Sequence, residues 1–89
     1  MYKDELVKQS LSVKLFASLR QVTNSDEIKI NVGEDITVLK MKEILFETFP
    51  NLKKINLPFM VAINHKYAVD SDIVTINDEI ALIPPVSGG

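Results

Sequence analysis

One amphipathic segment, residues 38–49, limits what this chain can fold into. Apolar side chains recur there at spacings of three and four residues while charged side chains take the other side, which predicts an α-helix. Its inward positions are Val38, Met41, Leu45 and Phe49. Thr37 is placed to cap the first turn, and Pro50 is placed to end the helix. The helix could instead bind a partner, but without it to cover a sheet the domain has no core.

The apolar residues on either side of this helix alternate with polar ones, which is typical of half-buried strands. Predicted strands cover residues 11–17, 26–32, 59–64, 67–69 and 80–83. Predicted loops cover residues 18–26, 51–58 and 70–78. The inner face of the first strand would carry Leu11, Val13, Leu15 and Ala17, whereas Phe16 is a large apolar residue on the polar side. Pattern alone therefore indicates an α+β domain.

Composition excludes several classes of function. The 89 residues are 46% hydrophobic and 25% charged, which predicts one ordinary globular domain. The chain has no cysteine, so it has no disulfide, cysteine metal site or cysteine nucleophile, which suits a reducing compartment. A formal net charge of −2 argues against nucleic acid or an anionic membrane as a partner. No apolar run approaches the roughly 18 residues of a membrane-spanning helix.

The last ten residues predict a narrow tip that follows a strand. Two prolines, Pro84 and Pro85, come directly after the apolar run over residues 80–83 and prevent further pairing within a sheet. The residues after them are Val86, Ser87, Gly88 and Gly89. When extended, these four reach about 14 Å, far enough to enter a partner's active site. Two terminal glycines can occur by chance, but the stiff diproline next to a core strand favours an inserted tail.

Three segments resemble one family of proteins, the small subunits of molybdopterin synthase, which are ubiquitin-like sulfur carriers. The specific match is residues 77–89, Asn-Asp-Glu-Ile-Ala-Leu-Ile-Pro-Pro-Val-Ser-Gly-Gly, against a family ending of the type Gly-Asp-Glu-Val-Ala-Leu/Phe-x-Pro-Pro-Val-Ser/Thr-Gly-Gly. Residues 13–20, which end in Phe-Ala-Ser-Leu-Arg, and residues 61–64, Val-Ala-Ile-Asn, give two supporting matches. Together they connect residues 11–89 with the family.

The resemblance implies an α+β fold of the ubiquitin-like β-grasp type. Such a fold has a mixed sheet of four to five strands with one main helix packed on one face, and its final strand lies parallel to the first in the middle of the sheet. We expect residues 1–10 to be a mobile N-terminal extension and residues 11–85 to form the β-grasp domain. Residues 86–89 would be a flexible diglycine tail.

The implied fold would also place an apolar patch on the sheet face that the helix leaves open. Ile80 and Leu82 would point at the helix, so the residues that alternate with them would point away. The expected partner interface consists of Phe16, Arg20, Met60, Ala62, Tyr67, Ala81 and Ile83. The alternatives are scattered surface apolar residues for the patch, local packing for Tyr67 and an ordinary surface position for Arg20.

The chemistry that the resemblance implies takes place at Gly89. A free carboxylate has no leaving group, so an adenylyltransferase of the ubiquitin-activating type would use ATP to convert Gly89 into an acyl adenylate, a nucleotide-bound form of the chain. A sulfur donor would then displace AMP and leave a thiocarboxylate. Its sulfur is the nucleophile that would attack cyclic pyranopterin monophosphate in the large subunit. The inserted tail would comprise Pro84, Pro85, Val86, Ser87 and Gly88.

In the family the synthase is a heterotetramer of two small and two large subunits. We expect this chain to be its sulfur-donating subunit in the cytoplasm, with no metal and no permanently bound cofactor, and the acid, base and substrate-binding residues to lie on the large subunit. The alternatives are a sulfur carrier for thiamine synthesis, a ubiquitin-like modifier conjugated through Gly89 to lysines, and an interaction module with an inert tail.

The remaining polar residues are weaker candidates for chemistry. His65, the only histidine, is expected to be a solvated turn residue because no second ligand or nucleophile lies near it in the sequence. Asn24 and Asn77 stand where the family often has glycine, and we expect both to adopt positive φ. Four carboxylates lack the ligand spacing of a calcium loop and are expected to be solvated: Asp70, Asp72, Asp78 and Glu79.

Overall fold

The computed structural model of the chain describes residues 9–54 and 58–84. Seven strands and three helices follow one another in these residues. In chain order they are β1 (Gln9–Leu15), α1 (Ser18–Thr23), β2 (Glu27–Val32), β3 (Ile36–Thr37), α2 (Val38–Thr48), α3 (Pro50–Lys54), β4 (Met60–Ile63), β5 (Lys66–Ala68), β6 (Ile73–Val74) and β7 (Ile80–Ile83). No helix in the described part of the chain is both long enough and apolar enough to cross a membrane.

The main sheet has five strands in the order β2-β1-β7-β4-β5, and a separate small sheet pairs β3 with β6. β7 lies parallel to β1, with Val13 opposite Ile80, and antiparallel to β4 on its other side. The last strand therefore fills the centre of the sheet between the first strand and the β4–β5 hairpin. This arrangement confirms the predicted α+β fold of the β-grasp type, with one main helix packed on one face.

The core lies between one face of this sheet and α2. Alternation along β1 and β7 directs every second side chain inward, and Val13, Leu15, Ile80 and Leu82 are all almost completely buried. The facing positions of α2 are Val38, Met41 and Leu45, each with an exposed fraction of 0%. Burying a side chain of this size contributes about 1.5–3 kcal/mol to folding. The predicted cap is confirmed, since Oγ1 of Thr37 accepts a hydrogen bond from the backbone N–H of Lys40 at 3.1 Å.

Three predicted loops contain regular structure. Residues 18–26 include α1. Its sequence shows no helical periodicity of apolar residues, because only Leu19 is buried and the others are mostly polar. Pro50 does end α2, but it also begins α3, so the loop predicted from residue 51 is wrong over its first residues. A proline is tolerated there because the first turn of a helix leaves its N–H groups unpaired. The loop predicted over residues 70–78 contains β6.

The first strand differs from its predicted limits at both ends. It begins at Gln9, which pairs with Val32, so two residues assigned to the N-terminal extension belong to the sheet. Residues 1–8 lie outside the described part of the chain, and their mobility stays a prediction. At the other end the strand stops at Leu15, and the prediction that Ala17 lies on the inner face is wrong, because it is exposed and has positive φ.

The two asparagines expected to replace glycine behave differently. Asn24 has φ 59° and ψ 33° at the end of α1, which confirms its predicted positive φ. The prediction for Asn77 is wrong, since it is not among the described residues with positive φ. Positive φ is found instead in the turn after β4, where Asn64 has φ 53° and His65 has φ 73°. Two consecutive positive φ angles characterise the tight turn of a two-residue hairpin, which here joins β4 to β5.

Candidate functional site on the open face of the sheet

The face of the main sheet opposite α2 is divided into a polar half and an apolar half. Along β7, Ala81 and Ile83 alternate with the buried residues and point to the open side. On β4, Met60 lies opposite Ile83 and Ala62 lies opposite Ala81 in the antiparallel register. This apolar half follows β7 along its length to the end from which the tail continues. The polar half, formed by β1 and β2, includes Ser12, Lys14, Glu27 and Lys29.

A groove of about 390 Å³ runs across the apolar half. We call it the open-face groove, and its lining residues are Phe16, Ala62, His65, Tyr67, Glu79, Ala81 and Ile83. Phe16 and Tyr67 have exposed fractions of 47% and 66%, which is high for aromatic side chains in a small domain. Five of the seven residues predicted for the partner interface therefore come together here. A concave apolar surface of this kind can accept side chains of another protein.

The two other predicted interface residues lie beside the open-face groove. Met60 is 45% exposed and pairs with Ile83, but it does not line the groove. Arg20 is exposed on α1 and borders a neighbouring hollow that it shares with Phe16. Phe16 thus separates the two depressions, and Arg20 lies on the far side of it from the open-face groove.

One end of the groove is closed by a charged network around Glu79. Nζ of Lys14 lies 3.1 Å from Oε2 of Glu79, and Nε2 of His65 lies 3.2 Å from Oε1 of the same carboxylate. The hydrogen bond from Lys14, assisted by that of His65, holds the pKa of the Glu79 carboxyl below its ordinary value. His65 is a largely exposed turn residue as predicted, but its contact with Glu79 could not be inferred from the sequence.

A set of hydrogen bonds fixes the start of β7 against the β4–β5 turn. The side-chain oxygen of Asn64 accepts from the backbone N–H of Glu79 at 2.9 Å, and its amide nitrogen donates to Oδ1 of Asp78 at 3.0 Å. Oδ2 of Asp78 accepts from the backbone N–H of Thr75 at 2.8 Å. This backbone donor is the main reason that the pKa of the Asp78 carboxyl lies below its ordinary value. Asn64 and Asp78 therefore determine where the Glu79 network sits.

The other two carboxylates of the predicted solvated group have local structural contacts. Oδ1 of Asp70 is 2.8 Å from Nζ of Lys42, and Oδ2 of Asp72 accepts from the backbone N–H of Val69. Across the described ranges, 9–54 and 58–84, no three histidine or carboxylate side chains are placed to hold a metal ion.

At the tail end of the groove, the backbone holds Phe16 on both sides. Its N–H donates to the carbonyl of Leu82 at 3.3 Å, and its own carbonyl accepts from the N–H of Leu19 at 3.2 Å. Between these anchors, Ala17 has φ 54° and ψ −130°. That geometry belongs to the second residue of a type II′ turn, where glycine is strongly favoured. A non-glycine residue held in such a region costs about 1–3 kcal/mol.

The tail itself lies beyond the described residues. β7 ends at Ile83, as predicted, and Pro84 is the last residue that the structure describes. The predicted functions of five tail residues fall outside this part of the chain: Pro85, Val86, Ser87, Gly88 and Gly89.

Comparison with known proteins agrees with this geometry. The ThiS family matches residues 13–89, which include the last three residues of β1, the other four strands of the main sheet and the glycine ending. The chain belongs to the ThiS family. A molybdopterin synthase sulfur carrier subunit from Arabidopsis thaliana is 34% identical over 86 residues, covering 97% of this chain and 90% of the relative. The predicted relationship to sulfur-carrier subunits is thereby confirmed.

Similarity to two further proteins points to a second functional class. Small archaeal modifier protein 1 from Haloferax volcanii is 32% identical over 84 residues, covering 85% of this chain and 97% of the relative. A crystal structure of SAMP1 from Haloferax volcanii superposes with a TM-score of 0.78 at 31% identity, covering 91% of this chain and all of that one. The ThiS-family chain therefore resembles both a sulfur carrier subunit and a protein modifier.

Proposed function

We propose that this chain is a sulfur carrier and the small subunit of a molybdopterin synthase. The observation that carries the proposal is the match to the ThiS family through residue 89, with an apolar groove on the open face where β7 continues into the diglycine tail. The names of several relatives give this activity. The described part of the chain offers an apolar surface for docking, which fits a subunit that delivers one reactive atom.

The proposed chemistry begins at the Gly89 carboxylate. One of its oxygens attacks the α-phosphorus of ATP on an adenylyltransferase of the ubiquitin-activating type, pyrophosphate leaves, and an acyl adenylate forms. A donor with sulfur at the oxidation level of sulfide then attacks the acyl carbon and AMP leaves with the electron pair of the broken bond. The product is a thiocarboxylate at Gly89, a nucleophile that forms without any cysteine in this chain.

Delivery requires the carrier to dock before the tail reacts. In the proposed complex the open-face groove meets the large synthase subunit, and Gly88 and Gly89 enter its active site, where the sulfur attacks cyclic pyranopterin monophosphate. Glycines suit such an entry because the path near the reacting centre has no room for a Cβ. Complete burial of a side chain of this size contributes about 1.5–3 kcal/mol, and Phe16 and Ile83 would each contribute less because both are already partly covered. We propose a heterotetramer of two small and two large subunits in the cytoplasm, with acid, base and substrate-binding residues on the large subunit.

The test is the intact mass of the protein purified from cells that contain its own activating enzyme. We expect a species heavier by the difference between sulfur and oxygen, lost after treatment with a thiol-reactive reagent that leaves oxidised methionine unchanged. A chain without Gly89 is the control and should not acquire it. Absence of the heavier species from the full chain under these conditions would contradict the sulfur-carrier proposal.

The likeness to small archaeal modifier protein 1 supports a second candidate, a modifier joined through Gly89 to lysines of other proteins. The same acyl adenylate serves both functions, so the two differ only in the acceptor. Isopeptide-linked conjugates in the same cells, abolished by removal of Gly89, would favour the modifier. A sulfur carrier for thiamine synthesis would show the thiocarboxylate but would not assemble with a large synthase subunit.

A further inference from the structure

We propose that Ala17 is a positioning residue for docking, whose strained backbone holds Phe16 in the orientation that the open face presents to its partner. The inference rests on the function proposed above and refines it. It begins from the finding that an alanine occupies a backbone geometry suited to glycine, immediately next to the most prominent aromatic residue at the tail end of the groove.

Ala17 lies where the chain crosses from one face of the sheet to the other. Phe16 is on the open face and is half exposed, whereas Leu19 is 0% exposed in the core on the opposite side. Only Ala17 and Ser18 separate them, so the crossing needs an abrupt change of direction. The positive φ of Ala17, combined with its ψ of −130°, supplies that change, and a residue with ordinary β or α angles would direct the chain elsewhere.

The chain is fixed on both sides of Ala17, at Phe16 and at Leu19, which allows the unfavourable geometry to persist. Phe16 is bonded to Leu82 on β7, and its carbonyl accepts from the N–H of Leu19. The carbonyl of Ala17 in turn accepts a hydrogen bond from the N–H of Arg20 at 3.1 Å, and this bond lies at the start of α1. The parallel pairing on one side and the buried Leu19 on the other therefore oppose relaxation of the turn.

Packing gives no reason for the methyl group of Ala17. The residue is exposed, and it is not part of the core cluster. The effect of its Cβ is on the backbone, because glycine readily adopts this combination of positive φ and negative ψ whereas alanine does so only under strain. An alanine here restricts the orientations available to Phe16 before a partner binds, which reduces the conformational entropy lost on docking.

Four variants test this inference. Ala17→Gly relieves the strain and widens the permitted region, and a chemically assembled chain with D-alanine at position 17 relieves the strain while keeping a Cβ. Asn24→Gly is the matched control, since Asn24 also has positive φ, at the other end of α1 and outside the groove. Phe16→Ala measures what the aromatic residue contributes to docking.

Three quantities are measured for each variant: the Tm, the Kd for the large synthase subunit encoded in the same genome, and the order parameter of the Phe16 backbone amide by ¹⁵N relaxation. We expect Ala17→Gly to raise the Tm by roughly 4 °C. The same variant should lower the Phe16 order parameter and weaken docking about threefold to tenfold. The D-alanine chain should also have a higher Tm than the natural chain, but its Phe16 order parameter and its affinity for the large subunit should be unchanged. Asn24→Gly should leave docking unchanged.

An ordinary structural role would make affinity follow stability, so opposite movements in Ala17→Gly are the distinguishing result. Equal affinity of Ala17→Gly and the natural chain, or equal weakening by glycine and D-alanine, would overturn the inference. If the natural chain does not bind the large subunit, or Phe16→Ala binds as tightly as the natural chain, the proposed docking function fails instead. The order parameter then decides the role of Ala17, and an unchanged value in Ala17→Gly would overturn it.

Discussion

The two faces of the main sheet are built from alternate residues of the same strands, yet one face is buried in the core and the other carries the open-face groove. On the inner face, Ile80 and Leu82 are fully buried beneath α2, and their contribution is to folding. On the outer face, Ala81 and Ile83 line the open-face groove and are only partly covered. A strand of four residues thus contributes to the core and to the proposed docking surface at once. Because alternate residues point to opposite faces, we expect that stability and recognition can be changed separately within one strand.

The largest expected effect separates the two faces within β7. Leu82→Ala should lower the free energy of unfolding by about 2–5 kcal/mol, because it opens a cavity in a fully buried site. Ile83→Ala should change folding much less but weaken docking to the large subunit by about tenfold or more. Urea denaturation measures the first property and titration with the large subunit the second. Similar losses of stability in both variants would show that the faces are not independent.

A smaller effect is expected at the start of the helix that covers the inner face. Thr37→Ala removes the hydrogen bond to the N–H of Lys40 and should lower the free energy of unfolding by about 1 kcal/mol. Thr37→Ser keeps an acceptor oxygen and serves as the control. Since α2 packs on the side away from the groove, docking affinity should not change for either variant. A loss of affinity in Thr37→Ala would sharpen the comparison by showing that the helix transmits its state through the sheet.

The smallest effect concerns how stability falls at low pH, and it is expected at Asp78 in the turn before β7. Because the pKa of Asp78 is lowered in the folded protein, its carboxylate stabilises the fold above its ordinary pKa, and this contribution is lost as the pH falls through the folded value. Asp78→Asn should therefore make stability less dependent on pH below about pH 4, where the ordinary carboxyl titrates. Unfolding by urea at a series of pH values measures this. If the free energy of unfolding of the variant depends on low pH as that of the natural chain does, the pKa of Asp78 is the same in the folded and unfolded states, which contradicts the prediction.

The inner face was predictable from the sequence because periodicity reports burial. The spacing in α2 placed Val38, Met41 and Leu45 correctly, and alternation placed Ile80 and Leu82. The central parallel position of β7 followed from the family resemblance, since no local pattern determines which strands pair. These predictions succeeded where many side chains obey one physical rule.

The parts that the sequence did not predict are short or depend on long-range contacts. β3 and β6 have two residues each, too few to show alternation, and α1 buries a single residue, Leu19. The Glu79 network joins Lys14 and His65 from distant segments, and only the folded register brings them together. Asn77 failed as a positive-φ position because the turn before β7 is held by Asp78 and Thr75 through side-chain and backbone bonds.

The central place of β7 also has a consequence for how the protein is made. The pairing of Val13 with Ile80 joins segments near the two ends of the described chain, so the sheet cannot close while translation is still producing its middle. Contacts so far apart in sequence slow folding, since a long loop must be ordered before they form. β1 and the β4–β5 hairpin must wait for β7 to enter between them. The element that carries the tail is the one that completes the fold, so the open-face groove exists only in chains already synthesised through β7.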